Sequence, residues 1–118
     1  MSGALEQSDS EAAAVQKTPN RVTLEYMKSR VEDVEYINPK SIPAMTIAIV
    51  LYDNGYSFVG KSAPADAGNF DEALGRKFAY EDALRQIWPV EGFALRERLH
   101  KVEKFSYENP PWERLHNT

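Results

Sequence analysis

Apolar residues recur at helical spacing in the first patterned stretch of the chain. They follow a period close to 3.6 residues and lie at Leu24, Met27, Val31 and Val34. Thr23 precedes them, and threonine is a good N-cap residue because its hydroxyl accepts a hydrogen bond from a free backbone N–H. We therefore predict a helix over 24–35. The two prolines at 39 and 43 interrupt the pattern and indicate a loop.

The next apolar stretch is typical of a β-hairpin. Residues 45–52 are rich in β-branched side chains, which favour a strand. Asn54-Gly55 follows, and this pair favours a two-residue type I′ turn because both of its residues need positive φ. The return strand is predicted over 56–62. A turn of this length would pair Leu51 with Phe58 and Val50 with Val59.

This register predicts apolar side chains on both faces of the hairpin. One face would hold Ile47, Ile49, Leu51 and Phe58, and the other would hold Ala48, Val50, Tyr52 and Val59. A two-stranded hairpin is not stable alone in water. We therefore expect its second face or its open edge to meet another hairpin. The simplest source is a second subunit, which makes the protein a homo-oligomer, with a dimer as the first expectation.

Two further helices are predicted after a loop of small residues at 62–68. The first covers 70–88, with Asn69 as its N-cap and Glu72 three residues later, as in a capping box. Pro89 should end or kink this helix at Trp88. The second covers 91–104. At 100° per residue, a broad apolar arc on the first helix collects Phe70, Ala73, Leu74, Phe78, Tyr80, Leu84, Ile87 and Trp88, whereas Ala79 falls on the polar side.

The chain therefore divides into one domain and two tails. Residues 1–18 are rich in Ala, Ser, Glu and Gln and carry few patterned apolar residues, so we predict a flexible tail. Residues 19–104 form a single α+β domain in the order helix, strand, strand, helix, helix. Residues 105–118 are predicted to be an extended tail.

Composition narrows the classes of protein to which this chain can belong. The net charge is −4, with Lys and Arg interspersed among Asp and Glu, whereas general nucleic-acid binders carry a clustered positive surface. The absence of cysteine excludes disulfides and thiolate chemistry. No apolar run is long enough to span a bilayer, and no secretory signal pattern is present. We therefore expect a cytoplasmic protein that contacts no membrane.

Motifs of the common catalytic and nucleotide-binding classes are not found in the sequence. The two histidines, His100 and His116, have no partner at metal-ligand spacing. We therefore predict a protein that is not an enzyme and that needs no cofactor or metal. A small hydrolase that uses carboxylates and a divalent ion is a distant alternative.

Three charged residues interrupt the apolar arc of the helix predicted over 70–88. Lys77, Glu81 and Arg85 are spaced i, i+4, i+8 and so stack along one line of the helix. One interpretation is an ion-pair ladder at the rim of the core. The other is a subunit interface or a polar pocket, in which the two cations hold a phosphate or carboxylate and Glu81 orients them. Lys61 and Trp88 complete this set of candidate binding residues.

A series of short motifs extends from residue 22 to residue 99. They are Val22-Thr23, residues 46–51, Asn54-Gly55, residues 59–63, Asn69-Phe70-Asp71, Gly75-Arg76, Ala79, Ala83, Ile87-Trp88, Glu91-Gly92-Phe93 and Leu95. Together they resemble the bacteriophage protein family named for the gene-forty-nine product of phage N-four and the gene-sixty-six product of a Shigella phage. The resemblance implies a phage or prophage origin and action in the bacterial cytoplasm. It implies no site residues.

Two functional hypotheses follow from the residues and the resemblance together. The first is a small non-catalytic phage accessory protein that binds and inhibits a host or bacterial-defence component. The second is an oligomeric module that sequesters a nucleotide or another anionic small molecule through Lys61, Lys77, Arg85 and Trp88.

Overall fold

The fold combines a three-stranded antiparallel sheet with one long helix and two short ones. The structure, a computed structural model, describes residues 3–108. In chain order its elements are α1 Ala4–Ala14, α2 Leu24–Ser29, β1 Val31–Ile37, β2 Thr46–Tyr52, β3 Ser57–Ser62, a 3-10 turn Ala67–Asn69, and α3 Glu72–Glu108. The strand order is β1-β2-β3, and α3 packs on one face of the sheet. The predicted α+β class is confirmed.

The helix predicted over 24–35 is only half correct. Thr23 caps α2 as expected, because its Oγ1 accepts a hydrogen bond from the Tyr26 N–H at 3.0 Å. The helix ends after Ser29, however, and the following residues form β1, which pairs with β2. A β-bulge between Val31 and Asp33 shifts the register by one residue. It brings Val31 and Val34 onto the same face although they are three residues apart, so this strand shows the spacing of a helix.

The hairpin forms where the sequence predicted it, but its register differs by one residue. Val50 pairs with Phe58, and Ile49 pairs with Val59. The loop has three residues instead of two, because only Gly55 has positive φ, at 88°. The Gly55 N–H donates to the Tyr52 carbonyl at 2.9 Å, and the Tyr52 N–H donates to the Tyr56 carbonyl at 2.8 Å. These contacts are typical of a type I turn followed by a glycine bulge.

The shift in register exchanges Phe58 and Val59 between the two faces of the sheet. The covered face lies under α3 and buries Thr46, Ala48, Val50, Tyr52, Phe58 and Gly60. Phe58 lies there edge-on to Tyr52, with ring centroids 5.5 Å apart. The other face, called the open face below, carries the apolar side chains Ile37, Ile47, Ile49, Leu51 and Val59. No described element packs across it.

Both edges of the hairpin are occupied by residues of the same chain. β1 pairs along the free edge of β2, so of the two surfaces at which a second subunit was expected, this edge is filled by the chain's own strand. At the outer edge of β3, the Lys61 N–H donates to Asp82 Oδ2 at 2.9 Å, and Gln86 Nε2 donates to the Val59 carbonyl at 2.7 Å. Two side chains of α3 therefore satisfy backbone groups that would otherwise be free to pair with another strand.

A single helix replaces the two helices predicted over 70–88 and 91–104. The Asp71 carboxylate caps it by accepting from the Leu74 N–H at 2.9 Å, so the predicted Asn69 capping box is wrong. Pro89 lies inside α3, where it removes one intrahelical hydrogen bond. Ile87 and Glu91 on either side of it are buried, and this packing holds the helix together across the proline. Within the described residues, no helix has the length and apolar character needed to cross a membrane.

The C-terminal part of α3 also corrects the predicted tail. Residues 105–108 are helical, and the remainder of the predicted extended tail, 109–118, lies outside the described residues.

Small residues make the closest contact between α3 and the sheet. Ala79 and Ala83 are completely buried against β3, so the placement of Ala79 on the polar side of the helix is wrong. A Cβ added at Gly60 would lie 2.1 Å from the Ala79 carbonyl oxygen and 2.5 Å from the Ala83 nitrogen. The helix backbone therefore rests directly on the strand backbone at this glycine.

The N-terminal residues include an ordered helix where the sequence predicted a flexible tail. α1 buries Leu5 in the main core cluster. Asp9 Oδ1 accepts from Arg21 Nη1 at 2.7 Å and from the Leu24 N–H at 3.1 Å. α1 thus supplies an acceptor for the first N–H of α2. Glu6 also pairs with Lys28 of α2 at 3.5 Å, so one leucine and two carboxylates dock α1 without any extended apolar pattern.

The contact at Gly60 predicts that alanine substitutions at two glycines change the free energy of unfolding in opposite directions. Gly60→Ala forces α3 away from β3 and should lower the free energy of unfolding by more than about 3 kcal/mol, because backbone atoms cannot move aside. Gly92→Ala, in the same helix, meets no atom within 4 Å and should raise it by about 0.5–1 kcal/mol. Urea denaturation of both variants measures the difference. Equal effects at the two sites would contradict the close approach.

The docking of α1 should depend on pH through Asp9. Burial opposes ionisation of this carboxylate, but hydrogen bonds from Arg21 and the Leu24 N–H hold its pKa below the ordinary value. A lowered folded-state pKa stabilises the fold above the unfolded-state pKa, near 4, and this contribution is lost as the pH falls through the folded-state pKa. Hydrogen-exchange protection factors of α1 relative to β2 should therefore fall in acid.

In Asp9→Asn part of this acid-dependent loss should disappear, because the amide does not titrate, whereas Glu6 on the same helix, whose pKa is also lowered, still does. Glu11→Gln is the matched control, since Glu11 is exposed on the same helix. A wild-type pH profile in Asp9→Asn would show that Asp9 does not hold α1.

Candidate functional site

A pocket of about 230 Å³ opens between the loop after β3 and the first turns of α3. Phe70, Leu74 and Phe78 form its apolar wall together with Ala63 and Pro64. The remaining lining residues are Ser62, Asn69, Asp71 and Gly75. We call this cavity the α3 pocket. Its size suits one or two side chains of another protein better than a drug-sized ligand, which needs about 300 Å³ or more.

Three large apolar side chains remain exposed at this pocket. Phe70, Leu74 and Phe78 are 36%, 48% and 48% exposed. They were predicted to lie in the core-facing arc of the helix, but the core faces the side of α3 that carries Ala79, Ala83 and Ile87. Exposed apolar clusters of this kind occur at protein–protein, membrane and ligand-binding sites.

The geometry of the pocket follows from two caps and one glycine. Asp66 Oδ1 accepts from the Gly68 N–H at 2.9 Å and holds the 3-10 turn, while Asp71 caps α3. Gly75 leaves room for the buried Thr46 of β2, whose Oγ1 would lie 2.6 Å from an added Cβ. The Asp71 carboxylate, which lines the pocket, places negative charge beside the apolar wall.

The predicted Lys77–Glu81–Arg85 ladder does not form. Among the described side chains, no ion pair joins Glu81 to either cation, and both cations are exposed. Glu81 is only 8% exposed and lies beside α1, since its carboxylate and that of Glu6 both approach Gly3. The three residues therefore lie on the flank of α3 that faces α1.

The other two predicted binding residues lie elsewhere. Lys61 is exposed and stands on the open face, in register with Ile47. Trp88 is half-buried and its Nε1 donates to the Val22 carbonyl at 3.1 Å, which fixes α3 to the segment before α2. The structure thus brings Lys77, Glu81 and Arg85 onto one helix flank, but it does not unite them with Lys61 or Trp88.

Sequence reasoning missed a charged network at the other end of the sheet. The Arg30 guanidinium contacts both carboxylate oxygens of Asp53, at 2.8–3.2 Å, and Glu91 Oε2 at 2.8 Å. It also lies 4.5 Å from the centre of the Tyr52 ring, within cation–π range. The network joins the end of α2, the end of β2 and the middle of α3.

Glu91 is the buried member of this network. Its side chain is 3% exposed and accepts from the Tyr52 hydroxyl as well as from Arg30. Burial, together with the hydrogen bond to Glu91, raises the pKa of Tyr52, so the phenol stays protonated and donates. The hydrogen bond to Asp53 holds the pKa of Arg30 above its ordinary value, although burial works in the opposite direction. The polar groups of these residues form hydrogen bonds and ion pairs with one another, and these contacts stabilise the fold.

In the described part of the chain, no three His, Asp or Glu side chains gather as potential metal ligands. Two features were missed, the α3 pocket and the Arg30 network, and the sequence contained a signal only for the pocket. Phe70, Leu74 and Phe78 recur at i, i+4, i+8, but periodicity alone does not say whether such a line faces the core. No local motif connects Arg30 with Glu91, which are 61 residues apart.

The sequence model of the phage protein (N4 Gp49/phage Sf6 gene 66) family matches residues 22–99. The chain belongs to this family. The resemblance found in the sequence motifs is therefore confirmed over the same residues. No curated protein and no solved structure matched the chain.

The match to the N4 Gp49/Sf6 gene 66 family separates the core features from the N-terminal helix. It contains the sheet, the α3 pocket, and all members of the Arg30 network. α1, at Ala4–Ala14, lies outside it.

The network gives a prediction about stability. Arg30→Ala leaves the buried Glu91 carboxylate without its cation and should lower the free energy of unfolding by about 3–5 kcal/mol. Arg96→Ala is the matched control, because Arg96 forms an ion pair with Glu103 at 2.6 Å in which both side chains are more than half exposed. Such pairs contribute about 0–1 kcal/mol. Equal losses in chemical denaturation would show that the Arg30 network does not hold the fold.

Proposed function

We propose that this phage protein is a non-catalytic accessory protein that binds a host or bacterial-defence protein and inhibits it. The observation that carries the proposal is the α3 pocket, where Phe70, Leu74 and Phe78 are exposed around a cavity large enough for an anchoring side chain. Binding energy in protein interfaces concentrates where such an anchor fills a pocket on the partner.

The charge around the pocket indicates what the partner should present. Asp71 stands beside the apolar wall, and the whole chain has a net charge of −4. An aromatic or aliphatic side chain with a neighbouring lysine or arginine complements this arrangement, because opposite charges at the rim speed association and exclude like-charged competitors. Family membership supports action inside the infected bacterial cell, where host and defence proteins are accessible.

The alternative, sequestration of a nucleotide or another anionic small molecule, receives less support. It requires several cations to converge on one anion. Lys61 stands on the open face, whereas Lys77 and Arg85 stand on the helix that packs against the covered face. We therefore favour protein binding.

The α3 pocket can be tested with two phenylalanines of the same helix. Phe78 lines the pocket, whereas Phe93 is 69% exposed and does not line it. Phe78→Asp should reduce binding of the host partner at least about thirtyfold, the effect of losing roughly 2 kcal/mol at an interface hot spot. Phe93→Asp should bind like the wild type. Both side chains are exposed, so neither variant should change the thermal midpoint much.

Native mass spectrometry of the tagged protein, purified gently from a bacterial host, identifies the partner and its stoichiometry. Affinity is then measured with the purified partner for wild type and both variants. Equal affinities would exclude the α3 pocket as the binding site. Failure of the wild type to retain any host protein at fixed stoichiometry would overturn the proposed function.

A further inference from the structure

We infer that the open face of the sheet is the interface between two copies of this chain, packed face to face. The face presents five apolar side chains in neighbouring positions, and those of Ile37, Leu51 and Val59 are 40%, 38% and 52% exposed. Strand pairing places Ile37 beside Ile47 on β1 and β2, and Ile49 beside Val59 on β2 and β3. These side chains form one continuous apolar surface across the three strands.

Both edges of the sheet disfavour pairing with a strand of another copy, which leaves packing of the two sheets face to face. Asp82 and Gln86 already bond the outward backbone groups of β3 at Lys61 and Val59. At the other edge, the bulge in β1 interrupts the strand and acidic side chains line it, at Glu32, Asp33 and Glu35. Bulges and charges at an edge both discourage the addition of another strand.

Charge on the open face favours a second copy as the occupant. Asp33 and Glu35 stand on the β1 side of this face, and Lys61 stands on the β3 side. A two-fold axis parallel to the strands lays β1 of one copy over β3 of the other. Glu35 then lies over the partner subunit's Val59, two residues along the strand from the partner subunit's Lys61. The two long side chains can span this diagonal, and the symmetry produces the contact twice. A two-fold axis across the strands would instead place β1 of one copy over β1 of the other, which would bring acidic side chains of the two copies together.

The area of the face is that of a small interface. Strands spaced about 4.8 Å apart, with about 3.3 Å per residue, give a three-stranded face a footprint of a few hundred square ångströms. This is smaller than the roughly 800 Å² per partner of a standard stable interface, so we expect a weak, reversible dimer.

Charge reversal at Glu35 and Lys61 tests both the surface and its symmetry. Sedimentation velocity from low micromolar to submillimolar concentration should show a monomer–dimer equilibrium for the wild-type full chain. Glu35→Lys and Lys61→Glu should each raise the dimer Kd at least about tenfold, because each creates two like-charge contacts. An equimolar mixture of the two variants should recover dimers, since every contact in the heterodimer is again between opposite charges.

Two further variants keep this result independent of the proposed function. Ile49→Asp, in the centre of the face, should abolish the dimer, whereas Phe78→Asp in the α3 pocket should leave its Kd unchanged. Circular dichroism checks that all variants are folded. A wild type that stays monomeric over the whole range overturns the inference. A mixture of the two charge variants that gains no dimer over either variant alone overturns it as well.

Discussion

The direct contact between the backbones of α3 and β3 at Gly60 determines how the rest of the molecule is arranged. Only hydrogen at this position allows Ala79 and Ala83 to rest on the strand, and their small side chains keep this part of the helix close to the sheet. At that distance Asp82 can reach the outer edge of β3, and Glu91 can reach Arg30 and Tyr52. The same contact directs the small residues of α3 to the sheet and leaves the larger Phe70, Leu74 and Phe78 at the surface.

Sequence patterns predicted the elements whose signals are local. The strand β2, the hairpin and the cap at Thr23 were predicted from neighbouring residues alone, and each is found in the structure. The features that differ depend on contacts that are distant in sequence. The bulge gives the apolar residues of β1 the spacing of a helix. Only pairing with β2, which is distant in sequence, makes this segment a strand. Asn54-Gly55 fits both a two-residue and a three-residue loop, and the burial of Phe58 beside Tyr52 favours the second. Tertiary packing likewise carries α3 through Pro89.

The candidate site was harder to predict than the fold, for a physical reason. Charged residues within an apolar arc, such as Lys77 and Arg85, were predicted to be binding residues because burying them without partners is unfavourable. The structure avoids that penalty by leaving both exposed, so their position in the arc is not by itself evidence of a binding site. The exposed apolar side chains of the α3 pocket are the unusual feature, and they become visible only when the core-facing side of α3 is known. Whether an apolar cluster is exposed depends on how the helix is oriented on the sheet as well as on its composition.

The α3 pocket and the open face belong to different layers of the molecule. α3 packs on the covered face, so two copies joined through their open faces would each direct a helix, with its pocket, away from the interface. Self-association and partner binding would then not compete for the same surface. A dimer would carry two equivalent pockets, and a partner that is itself dimeric or repeated could engage both. The second contact would then form at a high effective concentration, which strengthens retention without any new interface. A small domain with one modest pocket would thereby hold its target more firmly than a single pocket allows.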